Sequence, residues 1–265
     1  MNNDWYKGRL ALVTGTSSGI GEVYAEALAA RGCHIVLAAR SKDKLEALAD
    51  KLSRRYSVQV YALACDLSKQ GAPQELAYQI AEQGLTVDIL INNAGFATYG
   101  RFEDNDAERE QEEIMLNCAA VVQLTHQFLP NMLARKEGII VNVASMAAFM
   151  PCAYSAVYGA TKAFVLSFTE ALWAETRGRG IRVLALCPGA TETGFFDAPD
   201  SKHMAAGTKR ATPQKVVQSG FRGIEQSRSY IIEGRSNYFS SLLLRFLSRR
   251  RAALIMERMS RPKAR

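Results

Sequence analysis

The stretch RLALVTGTSSGIGEVYAEALAARG, residues 9–32, decides the fold. A short apolar segment (9–14) passes through a glycine-rich turn into a segment whose apolar residues have helical spacing (20–32). It reads as strand, turn and helix, with Gly32 expected to cap the helix C-terminus. Gly15, Gly19 and Gly21 stand in the turn. Lacking side chains, they let the chain reverse tightly and bring backbone N–H groups up to an anion, and the helix N-terminus adds partial positive charge. The spacing is G-x-x-x-G-x-G rather than the G-x-G-x-x-G of the general dinucleotide fingerprint. A glycine triplet alone also suits an ordinary tight turn; its position between strand and helix makes it a nucleotide-binding candidate.

The alternation continues to the far end of the chain. Strand-like runs at 34–40, 58–66, 87–95 (with its turn), 138–145, 181–189 and 229–232 are separated by helical patterns at 41–55, after Pro73, and at 104–135, 153–177 and 212–224. Ser41 is placed to cap the second helix. Continuously apolar strands alternating with helices predict an α/β fold: a doubly wound parallel sheet of about seven strands, with helices on both faces. Ligands bind such sheets beyond the carboxyl ends of the strands.

Composition sets the outer limits. The 265 residues are 48% apolar and 22% charged, ordinary for a globular chain. No run of eighteen apolar residues suggests a membrane span, and the first residues lack signal-peptide architecture, so a cytoplasmic location is expected. Five cysteines without a C-x-x-C pair suggest neither a disulfide framework nor zinc, and no histidine pattern suggests any metal. The net charge of +7 is uneven: residues 228–265 hold ten Lys/Arg against two Asp/Glu, +8, leaving −1 for the rest. No nucleic-acid recognition motif accompanies that charge.

The strand ends carry the chemistry. An acidic residue after the second strand would accept hydrogen bonds from an adenosine ribose. Arg40 stands there instead, followed by Ser41 and Lys42. A guanidinium and a hydroxyl suit a 2′-phosphate, which favours NADP(H) and leaves NAD(H) open; a solvated loop arginine is the plainer alternative. Asp66 ends the third strand, placed either to bond an adenine amino group, with Leu67 against the ring, or to cap a helix. In YSAVYGATK (154–162), Tyr158 and Lys162 lie one helical turn apart. The ammonium is expected to lower the phenol's pKa, making Tyr158 the candidate acid/base. Tyr154, two turns from Lys162, reads as a pocket or packing residue. Ser145 ends the fifth strand, NNAG (92–95) ends the fourth, and Asn117 lies in the helical region after it.

These motifs, T-G-x-x-x-G-x-G (14–21), N-N-A-G, Asn117, Ser145, Y-x-x-x-K and Pro188-Gly189, in order and over residues 8–235, resemble the short-chain dehydrogenase/reductase family. The likeness is to its single-domain branch and its keto-acyl and hydroxysteroid reductases. The resemblance implies one Rossmann-like catalytic domain, 1–236, with a substrate lid at about 194–211, followed by a basic amphipathic extension, 237–265. It implies that Tyr158 exchanges a proton with a carbonyl oxygen, that Ser145 hydrogen-bonds that oxygen, and that Lys162 also holds the nicotinamide ribose. Asn117 would hold a water in the proton relay. Nucleotide contacts would come from Gly15, Ser17, Ser18, Gly19, Ile20 and Gly21 in the turn, and from Arg40, Asp66 and Leu67. Asn93, Ala94 and Gly95 would border the adenosine ribose, and Pro188, Gly189, Thr191 and Thr193 would flank the nicotinamide. The family often forms homodimers or homotetramers through the helices holding Asn117 and Tyr158.

The substrate side is apolar. Phe195, Phe196 and Met204 face Met146, Phe149, Met150 and Tyr154 across the expected cleft, which favours a 3-oxoacyl, steroid-like or other lipid-like ketone. In the extension, Phe239, Leu242, Leu243 and Phe246 follow an amphipathic period accompanied by arginines. Packing on its own subunit or a symmetry mate, lying peripherally on a membrane, and docking an acyl carrier all remain open for it. The expected function is NADP(H)-dependent interconversion of a ketone and a secondary alcohol. The rivals are a non-catalytic nucleotide sensor and a membrane-surface scaffold of the same fold.

Overall fold

The computed structural model describes residues 3–196, 204 and 210–262. In chain order the elements are β1 (Leu10–Thr14), α1 (Gly19–Ala29), β2 (His34–Ala39), α2 (Lys42–Tyr56), β3 (Val60–Ala64), α3 (Ala72–Glu82) and β4 (Ile89–Asn92). They continue with α4 (Ala107–Ile114), α5 (Ala120–Arg135), β5 (Gly138–Val143), α6 (Ala156–Thr176), β6 (Ile181–Cys187), α7 (Pro213–Glu225), β7 (Tyr230–Ile232), α8 (Arg235–Arg245) and α9 (Arg249–Ser260). The seven strands form one parallel sheet in the order β3-β2-β1-β4-β5-β6-β7.

The strands read as continuously apolar because both their faces are covered. Ala11, Val13, Ile35 and Leu37 pack with Tyr24 and Leu28 of α1, Leu45 and Leu52 of α2, and Phe221 of α7. The alternate residues Leu10, Leu12, Val36 and Leu90 pack with Leu76 and Ile80 of α3, Leu124 and Met132 of α5, and Leu172 of α6. Each fully buried leucine or isoleucine contributes about 1.5–3 kcal/mol. The winding reverses between β1 and β4, so a crevice opens beyond their carboxyl ends.

Local structure refines the sequence reading in several places. Helix α1 ends at Ala29 and Gly32 (φ +83°) closes it as expected, in a left-handed turn where Cys33 N donates to Leu28 O at 3.1 Å and Gly32 N to Ala29 O at 2.9 Å. Ser41 occupies the N-cap position of α2, but its side chain makes no capping hydrogen bond. The region read as one helix over 104–135 is divided into α4, a π-helical turn at Met115–Ala119, and α5. The extension folds as two helices, α8 and α9. Most of the expected lid, 194–211, lies outside the described residues.

The edge of the sheet opposite the crevice is built for stability. Asp88, 7% exposed, accepts from Leu10 N at 2.9 Å and ion-pairs with Arg135, whose Nη2 also donates to Val87 O at 3.0 Å. This ties β1 and the start of β4 to the end of α5. Asp88→Ala leaves the buried Leu10 N–H without its acceptor and takes the carboxylate from a partly exposed guanidinium. It is expected to cost about 1–3 kcal/mol, read as a lower urea midpoint with an unchanged slope. A loss below about 1 kcal/mol would show the pair to be no stronger than a surface one.

Candidate active site

At the crevice two turns are locked together. The Thr14 hydroxyl donates to Ile91 O at 3.3 Å and accepts from Asn93 N and Ala94 N, both at 3.0 Å. The Asn93 carboxamide donates to Thr14 O at 2.9 Å and Gly15 O at 3.1 Å. Thr14 opens the T-G-x-x-x-G-x-G motif, but the sequence reading gave its side chain no role. Gly15 and Gly19 have φ of +69° and +68°. A Cβ on Gly15 would stand 2.8 Å from Ala94 Cα, and one on Gly19 would stand 2.8 Å from Thr193 Cγ2. Helix α1 begins here with no side-chain cap, which leaves its first amides available to an anion.

The turn borders a cavity of about 1300 Å³. Of the nucleotide residues expected from sequence, Gly15, Ser17, Ser18, Gly19, Ile20, Arg40, Asp66, Leu67, Asn93, Ala94 and Gly95 line it, as do Pro188, Gly189, Thr191 and Thr193. Gly21 does not: a Cβ there would run into Gly15 O and lie 2.5 Å from Asn93 Nδ2, so this glycine serves packing beneath the turn. Asp66 Oδ1 is turned onto its own loop, accepting from Ser68 N at 3.1 Å and Ser68 Oγ at 2.7 Å.

Ser145, Tyr158 and Lys162 meet at the same cavity. Ser145 follows β5 and begins the short helical turn Met146–Phe149, its Oγ accepting from Ala147 N at 3.1 Å. Tyr158 and Lys162 are buried on the first turns of α6, with Nζ 5.7 Å from the tyrosine ring centroid. Lys162 Nζ donates to Val143 O at 2.9 Å. The phenol lies well above its ordinary pKa range, chiefly because it is buried, with a hydrogen bond to Ser145 pulling the other way. This corrects the expectation that the neighbouring ammonium lowers it. Lys162 is itself desolvated, its pKa brought down to about 8, and its proton is committed to a backbone carbonyl.

Asn117 does not line the cavity. It is 1% exposed in the π-helical turn, accepting from Phe96 N at 3.2 Å and donating to Phe96 O at 2.9 Å and Thr161 Oγ1 at 3.1 Å. A Cβ on Gly95 would lie 2.8 Å from its Oδ1 and 3.5 Å from Lys162 Nζ, so Asn117 and Lys162 flank one glycine. One helical turn earlier Glu113 is fully buried. Its carboxylate accepts from Thr98 N and Oγ1, and burial raises its pKa to about 7.

The substrate end needs a further correction. Met146, Met150, Met204 and Phe195 line the cavity, and the Phe195 ring centroid is 5.7 Å from that of Tyr158. The Phe196 side chain lies outside the described residues. Phe149 packs on Tyr230 instead. Tyr154 does not face the cavity. It precedes α6, in a left-handed conformation (φ +63°), and its hydroxyl donates to Glu257 Oε1 at 2.8 Å. That bond, with Tyr99 Oη donating to Ser260 O at 2.7 Å, fixes α9 across the cleft. Met256, Met259, Ser260, Arg261 and Pro262 thereby become part of the cavity wall, a role the sequence reading did not give them.

Comparison with known proteins places this architecture. The family model for short chain dehydrogenase matches residues 9–203. The chain is 40% identical over 186 residues to hydroxysteroid dehydrogenase-like protein 1 of Gallus gallus, covering 68% of this chain and 55% of that one. It is 30% identical to the very-long-chain 3-oxoacyl-CoA reductase of Mus musculus, covering 91% of this chain and 77% of that one. A short-chain dehydrogenase from Sphingobium yanoikuyae, solved in complex with NADPH, superposes with a TM-score of 0.81 at 32% identity, covering 91% and 96% of the two chains. With its seven parallel strands, its glycine turn and its Ser145–Tyr158–Lys162 set, this chain belongs to the short chain dehydrogenase family of oxidoreductases.

Proposed function

We propose that this protein is an NADP(H)-dependent reductase or dehydrogenase that interconverts an apolar ketone and its secondary alcohol, with NAD(H) as the weaker nucleotide. One observation carries the reading. Ser145 and the buried Tyr158 share a hydrogen bond in a cavity bordered at one end by the glycine turn and at the other by methionines of three separate segments.

The residues present fit a dinucleotide. The positive-φ glycines let the turn lie close against Ala94 and Thr193 at the cavity edge, and the uncapped start of α1 suits a pyrophosphate. Arg40 and Ser41 border the cavity where a 2′-phosphate would be recognised. Lys162 and the 188–193 segment would hold the nicotinamide half. The bound nicotinamide supplies or accepts the hydride.

The protein's own groups handle the proton. Burial keeps the Tyr158 phenol protonated at neutral pH, poised to donate from Oη to a carbonyl oxygen. Ser145 Oγ, already within reach of that hydroxyl, would donate a second hydrogen bond to the same oxygen. Met146, Met150, Phe195 and Met256 surround the substrate with apolar surface and exclude water. The methionines and Phe195 gathered at the substrate end favour a lipid-like ketone over a sugar.

Three measurements test this. Tyr158→Phe is expected to lower kcat by about 10²–10⁴-fold while nucleotide affinity in a binding titration stays put; normal turnover would remove the phenol from the chemistry. Arg40→Asp should weaken NADPH relative to NADH by about 10–100-fold, and identical titrations for the two nucleotides would show that Arg40 does not read the phosphate. The third concerns Lys162. Its pKa is about 8 in the folded protein and 10.5 ordinarily, so the unfolded chain binds more protons between those values and stability rises with pH there. The burial penalty is therefore fully present below pH 8. Lys162→Met should raise Tm at neutral pH by roughly 2–8 °C, lose activity, and show a shrinking gain in stability as the pH climbs past 8. A lower Tm at neutral pH would mean that the bond to Val143 O outweighs desolvation.

A further inference from the structure

Helices α8 and α9 leave large apolar side chains in solvent. Phe239, Leu243 and Phe246 recur at i, i+4 and i+7 along α8 and its C-cap, and are 62%, 68% and 88% exposed. On α9, Leu254, Ile255 and Met259 are 54%, 42% and 74% exposed. Apolar exposure on this scale marks an interaction surface.

The same helices concentrate cations. Residues 228–265 carry +8 against −1 for the remainder. Arg249, Arg250 and Arg251 are all exposed, and among the described residues none of them makes a salt bridge. They occupy the first turn of α9, where the helix dipole disfavours positive charge. Three arginines there gain nothing from the helix they start, and an external anion is what would compensate them. Residues of α9 also face inward. Met256 and Met259 line the cavity, while Glu257 and the Ser260 carbonyl hold the helix on Tyr154 and Tyr99. Met259 belongs to both surfaces, so the exposed apolar patch runs into the apolar end of the cavity.

We propose that the α8–α9 surface seats on an anionic lipid bilayer, with Phe239, Leu243, Phe246 and Met259 among the acyl chains, the arginines on headgroup phosphates, and the cavity opening toward the lipid. Among the described residues no helix is long and apolar enough to cross a membrane, so the contact is peripheral. A lipid surface fits better than an acidic protein because Phe239, Leu243 and Phe246 are each more than half exposed, and a fluid layer accommodates protruding groups without a matching shape. Docking does not depend on the proposed reductase activity; only the entry of substrate from the bilayer rests on that reading.

The test uses the full chain and vesicles of phosphatidylcholine alone or mixed with phosphatidylglycerol. Co-sedimentation should favour the mixed vesicles and weaken as salt is raised. Replacing Arg249, Arg250 and Arg251 together with Glu should reduce binding by about a hundredfold or more. Phe239→Ser with Phe246→Ser should also abolish it, while circular dichroism and turnover of a small water-soluble ketone stay unchanged. Equal binding to both vesicle types, or full binding by the variants, overturns the proposal. So does sedimentation equilibrium in which the Phe variant dissolves a dimer, because a second copy would then cover the face, and so does retention by an acidic carrier protein with no vesicle binding. Loss of vesicle docking with intact turnover leaves the functional reading standing; loss of turnover in Tyr158→Phe with intact docking leaves the docking reading standing.

Discussion

The Thr14 hydroxyl and the Asn93 carboxamide hold two turns, far apart in sequence, as one body. Everything at the site is referred to that join. β1 and β4 are neighbours in the sheet, and the winding changes direction between them, so the turns that follow them border the crevice at their ends. A glycine turn with positive φ at two positions has many alternatives in the unfolded chain, and the hydrogen bonds from β4 select one. With the turn fixed, the start of α1, the 93–95 segment and Thr193 surround one space, and the Cβ-free glycines keep it open.

The second constraint is a buried charge. Lys162 is 5% exposed, and its only hydrogen-bond acceptor among the described residues is the Val143 carbonyl. Burial of this kind opposes stability, and it sits where the chemistry is proposed, the usual place for such conflicts. Gly95 leaves room for Asn117 and Lys162 to approach each other, and the π-helical turn carries Asn117 to that point. Tyr158 and Lys162 therefore share more than a helix face: both are desolvated, and their pKa values are pushed in opposite directions, the phenol up and the ammonium down. Both shifts favour the uncharged form.

The sheet was legible because its central strands are buried on both faces and hence carry apolar runs, as residues 10–13 and 35–39 illustrate. The gathering of Ser145, Tyr158 and Lys162 was legible because a parallel sheet brings all its strand ends to one edge and because spacing of four places side chains together. Desolvation was not legible, since spacing reports proximity and not dielectric, and the direction of the phenol's shift was misjudged for that reason. Tyr154 was misplaced because α6 begins two residues after it: Ser155 stands at the N-cap, a signal the sequence reading did not use, and nothing in YSAVYGATK marks the left-handed residue before it. The return of α9 to the cleft depends on a contact between residues 103 positions apart, Tyr154 to Glu257, which no local pattern encodes.

That returning helix joins the interior of the molecule to its surface. The wall that encloses the apolar end of the cavity is the same element that presents arginines and large apolar side chains outward, so a substrate's route in and the protein's attachment would be set by one segment. The central claim, a buried phenol that protonates an apolar ketone beside a nicotinamide, is tested most directly by following NADPH consumption with a series of ketones graded by chain length and ring count. The account predicts consumption matched by formation of the secondary alcohol, with kcat/KM rising as apolar surface is added. NADPH that binds tightly yet is consumed with no ketone in the series would contradict it and leave a nucleotide-binding protein without the proposed chemistry.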